Sequence, residues 1–372
     1  MCGGWLRVRW GKTGDMQVLV LGATGYIGSR LITALLDAGH DVTAASRNRA
    51  GLKRFGWHDR VRSVEFDASD PESVRAGLAA AGSVDVIYYL VHGIGQKNFR
   101  DVDRAAAENV AAAAAESGVG RIVYLGGFVP EDAELSEHLE SRAEVGKALD
   151  VPGGPELVWL KAAVVIGAGS TSFEMVRYIS DRLAVIPLPT WVDNPMDPIS
   201  VRDAVYYLAA AATDKVPPGA YDITSADTGS YSALLFAYLR AIKAPRVGVV
   251  MPSVDVRLAG FVSGFLVPVP SGLASDLVRS LDYPMKASEH TIRDHVPDPP
   301  GGLLTVREAV ERSVASGLPG PVDELDDIHH LADTDPSWAG GDLMRVKREV
   351  RDRVAPVLGA VSGLIGAVRR ST

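Results

Sequence analysis

The stretch that decides the fold is QVLVLGATGYIG, residues 17–28. It begins with a short apolar run of the kind that forms a buried parallel strand, and a segment with helical spacing follows it as far as Gly39. Between the two lies a G-x-x-G-x-x-G turn made by Gly22, Gly25 and Gly28. Glycines let the backbone approach a diphosphate closely, and the N-terminus of the helix directs N–H donors toward it. The turn therefore predicts a dinucleotide site; the alternative is a tight turn with no ligand.

Strands and helices alternate regularly beyond this turn, as far as residue 183. Short apolar runs predict strands, and the longer segments with helical spacing between them predict crossover helices. Such alternation is typical of an α/β fold with a doubly wound parallel sheet. The predicted strands are 17–21, 41–45, 61–66, 84–90, 121–125 and 156–161, and the predicted helices include 99–117, 135–149 and 173–183.

The pattern weakens after residue 183. A helix at 203–213, a strand at 221–223 and a helix at 231–242 look like parts of a substrate-side lobe, and residues 245–300 are apolar but irregular. We expect Met16 to be the functional start, which would make the preceding residues a start-site artefact or a loose arm; alternatively, their tryptophans pack on the body. The predicted units are a loose N-terminal arm (1–15), a dinucleotide-binding domain (16–225), a substrate-side lobe (226–330) and a C-terminal tail (331–372).

Composition and charge exclude several classes of protein. Hydrophobic residues make up 47% of the chain and charged residues 23%, which excludes a disordered or collagen-like chain. The formal net charge of -8 argues against a nucleic-acid partner. The single cysteine, Cys2, excludes an internal disulfide and a cysteine-based zinc site, and we expect a reducing, cytoplasmic setting. No apolar run reaches the roughly 18 residues of a membrane-spanning helix, and no histidine and acidic residues cluster with metal-ligand spacing, so no metal is expected.

The end of the second strand indicates which dinucleotide is preferred. A carboxylate there would bind the ribose 2′-hydroxyl of NAD and repel the 2′-phosphate of NADP. The strand ends instead with Ser46 and Arg47, which can hydrogen-bond to and neutralise a phosphate, so we expect NADP(H) rather than NAD(H). The alternative is that Arg47 is a solvated loop charge. Asp67, after the third strand, is placed to contact the adenine amine or to cap a helix.

Other backbone and side-chain groups are expected at the same edge of the sheet. Thr24, Tyr26 and Ile27 would supply further backbone N–H donors to the diphosphate. His92 follows the fourth strand, at the carboxyl end where such sheets bind ligands, although a loop histidine can also be merely solvated.

Residues 18–48, VLVLGATGYIGSRLITALLDAGHDVTAASRN, resemble the atypical short-chain dehydrogenase/reductases, and most of all their NmrA-like and complex I accessory-subunit-like branch. The resemblance continues through FDASDPES (66–73), RIVYLGG (121–127) and PISVRDAV (198–205), and it covers roughly residues 16–224. It implies an NAD(P)H-binding Rossmann sheet with a smaller C-terminal substrate lobe.

The active-site motif of this family is altered. Its enzymes carry Tyr-x-x-x-Lys in the helix after the fifth strand, where the lysine helps the tyrosine to exchange a proton with a carbonyl group. Here His138 stands where the tyrosine is expected, and Arg142 where the lysine is expected. Gly126 and Gly127 occupy the place of the serine that orients the substrate. All three standard roles are therefore changed.

Two interpretations of this departure remain open. In the first, the protein is an oxidoreductase acting on a small or lipophilic carbonyl compound, with His138 as acid/base and Arg142 holding the nicotinamide ribose. An ordinary histidine pKa near 6.5 suits that task. In the second, the dinucleotide binds without turnover, and the protein is a sensor or an accessory or assembly protein of a membrane complex; His138 could then be just a polar residue on a helix face. Further side chains expected in the cleft are Tyr89, Lys161 and Ser170.

The C-terminal end predicts an amphipathic helix, because apolar residues recur with helical spacing from Leu343 to Val368. Residues 345–372 contain seven Lys and Arg residues and two acids, a net charge of +5. A basic amphipathic helix can lie on an anionic membrane surface, and a lipid-like substrate would suit that location. Alternatively, the apolar face docks on the body of the protein or on a second copy. Pro356 and nearby glycines would weaken or kink the helix. The oligomeric state is left open.

Overall fold

A computed structural model describes residues 15–93, 98–128, 137–251, 267–268, 278–279, 281–288 and 290–350. The strands are β1 (Gln17–Leu21), β2 (Asp41–Ser46), β3 (Arg62–Glu65), β4 (Val86–Tyr89), β5 (Arg121–Gly127), β6 (Glu156–Ala162), β7 (Val165–Ile166), β8 (Val185–Pro189), β9 (Pro195–Met196), β10 (Ile199–Ser200), β11 (Gly219–Asp222), β12 (Gly229–Ser230) and β13 (Val247–Met251). The α-helices are α1 (Tyr26–Asp37), α2 (Pro71–Ala81), α3 (Phe99–Glu116), α4 (Glu137–Leu149), α5 (Thr171–Arg182), α6 (Val201–Ala211), α7 (Tyr231–Ala241) and α8 (Val306–Val314). Short 3-10 helices lie at Arg49–Arg54, Gly56–Arg60, Thr190–Asp193 and Ile292–Asp294.

Seven parallel strands form the central sheet, in the order β11-β6-β5-β4-β1-β2-β3. The chain builds outward from β1 in one direction through β2 and β3, and in the other direction through β4, β5, β6 and β11. The order therefore reverses between β1 and β4, where Leu21 pairs with Tyr89. A crevice opens beside the carboxyl ends of the strands at such a reversal, and ligands of open α/β sheets bind there. The predicted α/β fold with a doubly wound Rossmann sheet is confirmed.

Most predicted elements of the sheet domain lie within two or three residues of the observed ones, and β1 has the predicted bounds. Asp70 caps α2 through its side chain, with Pro71 in the first turn. The assignment of 203–213 and 221–223 to the substrate side was wrong. Helix α6 packs on α1, and β11 pairs with β6 at the edge of the central sheet. Their pattern resembled that of the earlier elements too weakly for their place in the sheet to be recognised.

Helices cover both faces of the sheet. One apolar cluster joins the sheet to α1 and α6, and another joins its opposite face to α2, α3 and α4. The first cluster also contains residues far along the chain, including Ile292, Val296, Val322, Leu325 and Ile328. The predicted boundaries at residues 225 and 330 stay a prediction, but the buried core of the sheet domain crosses both of them.

A smaller apolar cluster lies beside the sheet domain and is formed mainly by α5, α7 and α8. Helix α8 begins with a reciprocal cap: Glu308 N–H donates to the Thr305 hydroxyl, and the Glu308 carboxylate accepts from Thr305 N–H. Leu281 and Met285 complete this cluster. These residues cover the carboxyl side of the sheet and therefore form one wall of the crevice.

The last described part of the chain is tied to α1 by a buried ion pair. Arg30 donates two hydrogen bonds to Asp335, with nitrogen–oxygen distances of 3.0 and 2.7 Å, and neither side chain is more than 3% exposed. Arg30 also donates to the carbonyl oxygens of Ile328 and His330. A helical segment follows at 341–350. The predicted N-terminal arm up to residue 14, most of residues 252–280 and the predicted amphipathic helix after residue 350 lie outside the described residues.

None of the helices in the described part of the chain combines the length and the apolar character needed to cross a membrane.

Candidate active site

The glycine turn after β1 is a tight loop that side chains would block. Gly22 has a φ of +83°, and a Cβ there would lie 2.7 Å from the carbonyl oxygen of Leu90. A Cβ at Gly28 would overlap the carbonyl oxygen of Gly22. The Gly25 N–H donates to that same oxygen over 2.9 Å, which fixes the turn. The left-handed backbone and the close approach explain why glycine stands at these positions.

The N-terminus of α1 opens onto this turn without a cap. Gly25 is the N-cap residue, so no side chain satisfies the first N–H groups of the helix, and no acidic residue lies in the first turn. Free N–H donors and the positive end of the helix dipole together favour an anion. The turn therefore fits a diphosphate, held by backbone N–H groups around Gly25, Tyr26 and Ile27. Thr24 is exposed beside them and does not line the cavity described below.

The side chain of Tyr26 turns inward beneath this end of the site. Its ring lies under the Arg30 guanidinium, 3.9 Å from the guanidinium carbon to the ring centroid. A Cβ at Gly167 would overlap the Tyr26 hydroxyl, so the glycine makes room for it. The hydroxyl is buried without a hydrogen-bond partner among the described residues, and burial raises its pKa. Tyr26 therefore positions the turn and is not available as a proton donor at neutral pH.

A cavity of about 270 Å³ extends from the glycine turn across the carboxyl ends of β4, β5 and β6 to the smaller cluster. Its near end is lined by Gly22, Gly25, Tyr26, Ile27, Gly28, Leu90 and His92, and its middle by Gly126, Gly127, Phe128, His138, Leu139, Arg142 and Val164. Its far end is lined by Ser170, Thr171, Ser172, Met175, Tyr231, Leu281 and Met285. The cavity thus joins the predicted dinucleotide turn to the altered active-site motif through a mainly apolar wall.

His92, His138 and Arg142, three of the residues named from the sequence, all line this cavity. The loop that carries His92 is fixed by Asp103, which accepts a 2.7 Å hydrogen bond from Gly93 N–H. His138 and Arg142 project from one face of α4, one helical turn apart. The His138 Nδ1 atom is buried and has no hydrogen-bond partner among the described residues.

The electrostatics of the cluster differ from the expectation for an acid/base histidine. Burial, with a further contribution from the nearby Arg142 cation, lowers the pKa of His138 to about 3. Removal from bulk water also lowers the pKa of His92, and Arg142 and His138 add to that shift. The assumption of an ordinary pKa near 6.5 for His138 was therefore wrong, because the sequence does not reveal its burial. Both rings are neutral at physiological pH.

The residues expected at the adenosine end lie outside the cavity, at the carboxyl ends of β2 and β3. Arg47 is exposed and has no hydrogen-bond or ion-pair partner among the described residues, while Ser46 is occupied in a turn with the backbone of Asn48. Asp67 accepts hydrogen bonds from the N–H and hydroxyl of Ser69, which lower its pKa. Asp67 therefore shapes its own loop and does not cap α2.

Three further candidates have structural roles. Tyr89 is buried between the sheet and its helices, as are Tyr88 and Tyr124, and does not line the cavity. Lys161 forms a 3.0 Å ion pair with the buried Asp222 across β6 and β11. Ser170 reaches the cavity, but its hydroxyl donates to the carbonyl oxygen of Val165 rather than capping α5.

Sequence reasoning missed the apolar walls of the cavity. Phe128, Met175, Tyr231 and Met285 come from four separate segments that meet only in the folded chain. The one available signal was the position of Phe128 directly after β5, at the carboxyl edge of the sheet.

The fold and the site together define a Rossmann protein with a dinucleotide-binding crevice. Residues 22–148 match the family model for NAD(P)H-binding proteins. Residues 22–148 therefore form an NAD(P)H-binding domain that is similar to those of the atypical short-chain dehydrogenase/reductases, as the resemblance predicted.

The relatives are similar over part of their length. The chain is 35% identical to the chloroplastic divinyl chlorophyllide a 8-vinyl-reductase of Oryza sativa subsp. indica over 120 residues, covering 30% of each chain. It is 30% identical to the 2-alkyl-3-oxoalkanoate reductase of Stenotrophomonas maltophilia over 114 residues, which cover 29% of this chain and 32% of the relative. The chain thus aligns with about a third of these two proteins.

A solved structure shows the same fold over a longer stretch. The triphenylmethane reductase of Citrobacter sp., complexed with NADP(H), superimposes with a TM-score of 0.61 at 18% identity and covers 80% of this chain and 99% of its own. This similarity shows a shared fold. Two reductases are among the relatives that match part of the chain, and these comparisons do not favour the alternative of a non-catalytic sensor or accessory protein.

Proposed function

We propose that this protein is an NADPH-dependent reductase of lipophilic carbonyl compounds. The observation that carries the proposal is the continuous cavity between the glycine turn and His138, with apolar walls from Leu139, Val164 and Met285. A ligand in it would lie between the dinucleotide and the His138 ring, whose Nδ1 atom has no hydrogen-bond partner in the part of the chain that the structure describes. The relative from Stenotrophomonas maltophilia, named as a reductase of an oxoalkanoate, supports a carbonyl acceptor.

NADPH, when bound, supplies the hydride that reduces the carbonyl carbon. The neutral His138 ring then donates a hydrogen bond to the carbonyl oxygen as negative charge develops there. The oxygen takes up the imidazole N–H proton, and the resulting imidazolate takes a proton from water in the open cavity, which leaves as hydroxide. The nearby Arg142 cation stabilises the same negative charge, and apolar side chains reduce competition from water. A role of Arg142 at the nicotinamide ribose remains a prediction.

The preference for NADPH rests on Arg47. Arg47 follows β2 and is exposed, and it forms no hydrogen bond or ion pair with a described residue, although its charge contributes to the lowered pKa of Asp67. A 2′-phosphate would supply a direct partner. A hydrogen bond to a charged group contributes about 1.5–3 kcal/mol, so Arg47→Ala should weaken NADPH binding roughly 10- to 100-fold and leave NADH binding unchanged. Arg49→Ala is the matched control, because the Arg49 guanidinium donates to the Ser63 hydroxyl instead. Equal losses for NADPH and NADH would contradict the preference.

Turnover tests the proposed function directly. Purified protein is mixed with NADPH and a panel of aldehydes and ketones, and NADPH absorbance is followed. We expect oxidation of NADPH with apolar members of the panel and a rate at least about 100-fold lower in His138→Ala, the range that general acid–base groups contribute. His290→Ala is the control, since His290 is an exposed histidine outside the cavity. Tight NADPH binding without turnover of any compound would contradict it.

We also propose that the helical segment at 341–350 contacts an anionic membrane surface. Leu343, Val346 and Val350 are exposed while Met344 is buried, so the helix presents an apolar face to solvent beside the basic residues Arg345 and Lys347. Residues 341–350 contain three basic residues and two acids, a net charge of +1, which suits anionic lipid.

Sedimentation with phosphatidylserine vesicles, comparing the full chain with a Leu343→Gln/Val346→Gln/Val350→Gln variant, tests this contact. Loss of sedimentation in the variant is expected. Equal sedimentation, or concentration-dependent dimers in place of vesicle binding, would contradict membrane contact. A cytoplasmic location stays a prediction.

A further inference from the structure

The middle of the cavity carries the positive charge of Arg142, although the chain as a whole has a net charge of -8. Arg142, His92 and His138 lie close enough to perturb one another electrostatically. Among the described residues that line the cavity there is no aspartate or glutamate. A permanent cation in a partly enclosed, mainly apolar site produces a strong local potential, which favours an anion.

The Arg142 guanidinium has no hydrogen bond or ion pair with any described residue. Two of the three acids of its own helix, Glu140 and Glu144, form ion pairs with Arg100 of α3, and the third, Glu137, is exposed at the first residue of the helix. Asp103 interacts electrostatically with Arg142, but this carboxylate is 7% exposed and already accepts the hydrogen bond from Gly93 N–H. An arginine without such contacts can present its planar fork of N–H donors to a ligand, and this fork matches the two oxygens of a carboxylate.

The spacing of His138 and Arg142 adds a second constraint. Side chains four residues apart on a helix lie about 5–6 Å from each other at Cβ and reach neighbouring points in a ligand. The His138 ring and the fork of Arg142, which both line the cavity, can therefore contact two oxygen-bearing groups separated by one or two carbon bonds. A carbonyl group adjacent to a carboxylate has this arrangement.

We propose that the substrates of this protein are lipophilic oxo acids, with the carboxylate on Arg142 and the carbonyl oxygen on His138. The inference rests on the proposed reductase function and names its substrate class. The apolar side chains of Leu139, Met175 and Met285 would hold the hydrocarbon part. A neutral ketone of the same size would leave the arginine without a partner.

Binding to the protein saturated with NADP⁺ tests this inference without requiring turnover. The probes are phenylpyruvate and its methyl ester, which differ in the charge of one group, and calorimetry gives both dissociation constants. We expect the acid to bind at least about tenfold more tightly, a difference of about 1.4 kcal/mol. In Arg142→Gln the two should bind within about twofold of each other, while Arg142→Lys should keep part of the discrimination. Arg104→Gln removes an exposed arginine of α3 and should keep all of it.

Several results would overturn the inference. Equal affinities in the unaltered protein, discrimination that survives in Arg142→Gln, or no binding of either probe at millimolar concentration would each do so. A loss of NADP⁺ affinity in Arg142→Gln, with the acid-to-ester ratio unchanged, would assign Arg142 to the cofactor instead. Failure of the proposed reductase function would give a different result. In that case neither neutral carbonyl compounds nor oxo acids would oxidise NADPH, whatever affinities calorimetry measures.

Discussion

Asp335, near the end of the described residues, should stabilise the protein through its ion pair with Arg30 of α1, the helix that follows the glycine turn. Asp335→Ala removes the carboxylate and leaves the Arg30 guanidinium buried, with a side-chain exposure of 0%. Removing one partner of a buried pair costs about 3–5 kcal/mol. Arg30 keeps its hydrogen bonds to the carbonyl oxygens of Ile328 and His330, which favours the lower end, about 3 kcal/mol.

Urea unfolding of the full chain, followed by circular dichroism, measures this loss. With a slope of about 3 kcal/mol per molar urea, the midpoint should fall by about 1 M. The surface pair of Arg60 and Asp37 is the control, since both side chains are more than 40% exposed. Asp37→Ala should cost at most about 1 kcal/mol.

A double variant separates the ion pair from other effects of the substitution. Arg30→Met with Asp335→Leu replaces both charges by apolar groups and should recover much of the stability that Asp335→Ala loses. The NADPH affinity should fall in Asp335→Ala, because Arg30 also supports the Tyr26 ring beneath the turn. A midpoint within about 0.3 M of the unaltered protein for Asp335→Ala, or strictly additive losses in the double variant, would refute the reasoning.

Three other predictions concern the site and its dependence on pH. Gly28→Ala should abolish measurable NADPH binding, because the added Cβ overlaps the Gly22 carbonyl, whereas Gly317→Ala, where a Cβ meets open space, should bind normally; equal affinities would contradict this. The kcat/KM of turnover should stay flat from pH 5.5 to 8, since the His138 pKa of about 3 keeps the ring neutral throughout, and a titration near 6.5 would contradict it. Burial lowers the pKa of His329, so unfolding below about pH 6.5 takes up a proton; the urea midpoint should fall from pH 7 to pH 5, and less steeply in His329→Gln.

The sequence predicted the sheet and the dinucleotide end of the site because both depend on local patterns. The strand at 17–21 and the glycine turn are each determined by neighbouring residues. His138 and Arg142 were found by their position relative to a family motif, and the structure places both at the cavity.

What the sequence could not predict depends on contacts between distant segments. The low pKa of His138 follows from burial by elements that meet only in the fold. Arg30 and Asp335 form their ion pair although they are 305 positions apart in the sequence. Ile328 packs in the core of the sheet domain and is likewise far in sequence from the strands of that domain. Local hydrophobic periodicity therefore cannot predict these contacts.

Calorimetric titration of the intact chain with NADPH tests the central claim most directly, namely that the uncapped N-terminus of α1 and its glycine turn bind the cofactor diphosphate. We expect one site per chain, tighter binding of NADPH than of NADH, and loss of that heat in Gly28→Ala. Folded protein that gives no heat with either nucleotide, or full heat in Gly28→Ala, would contradict the claim.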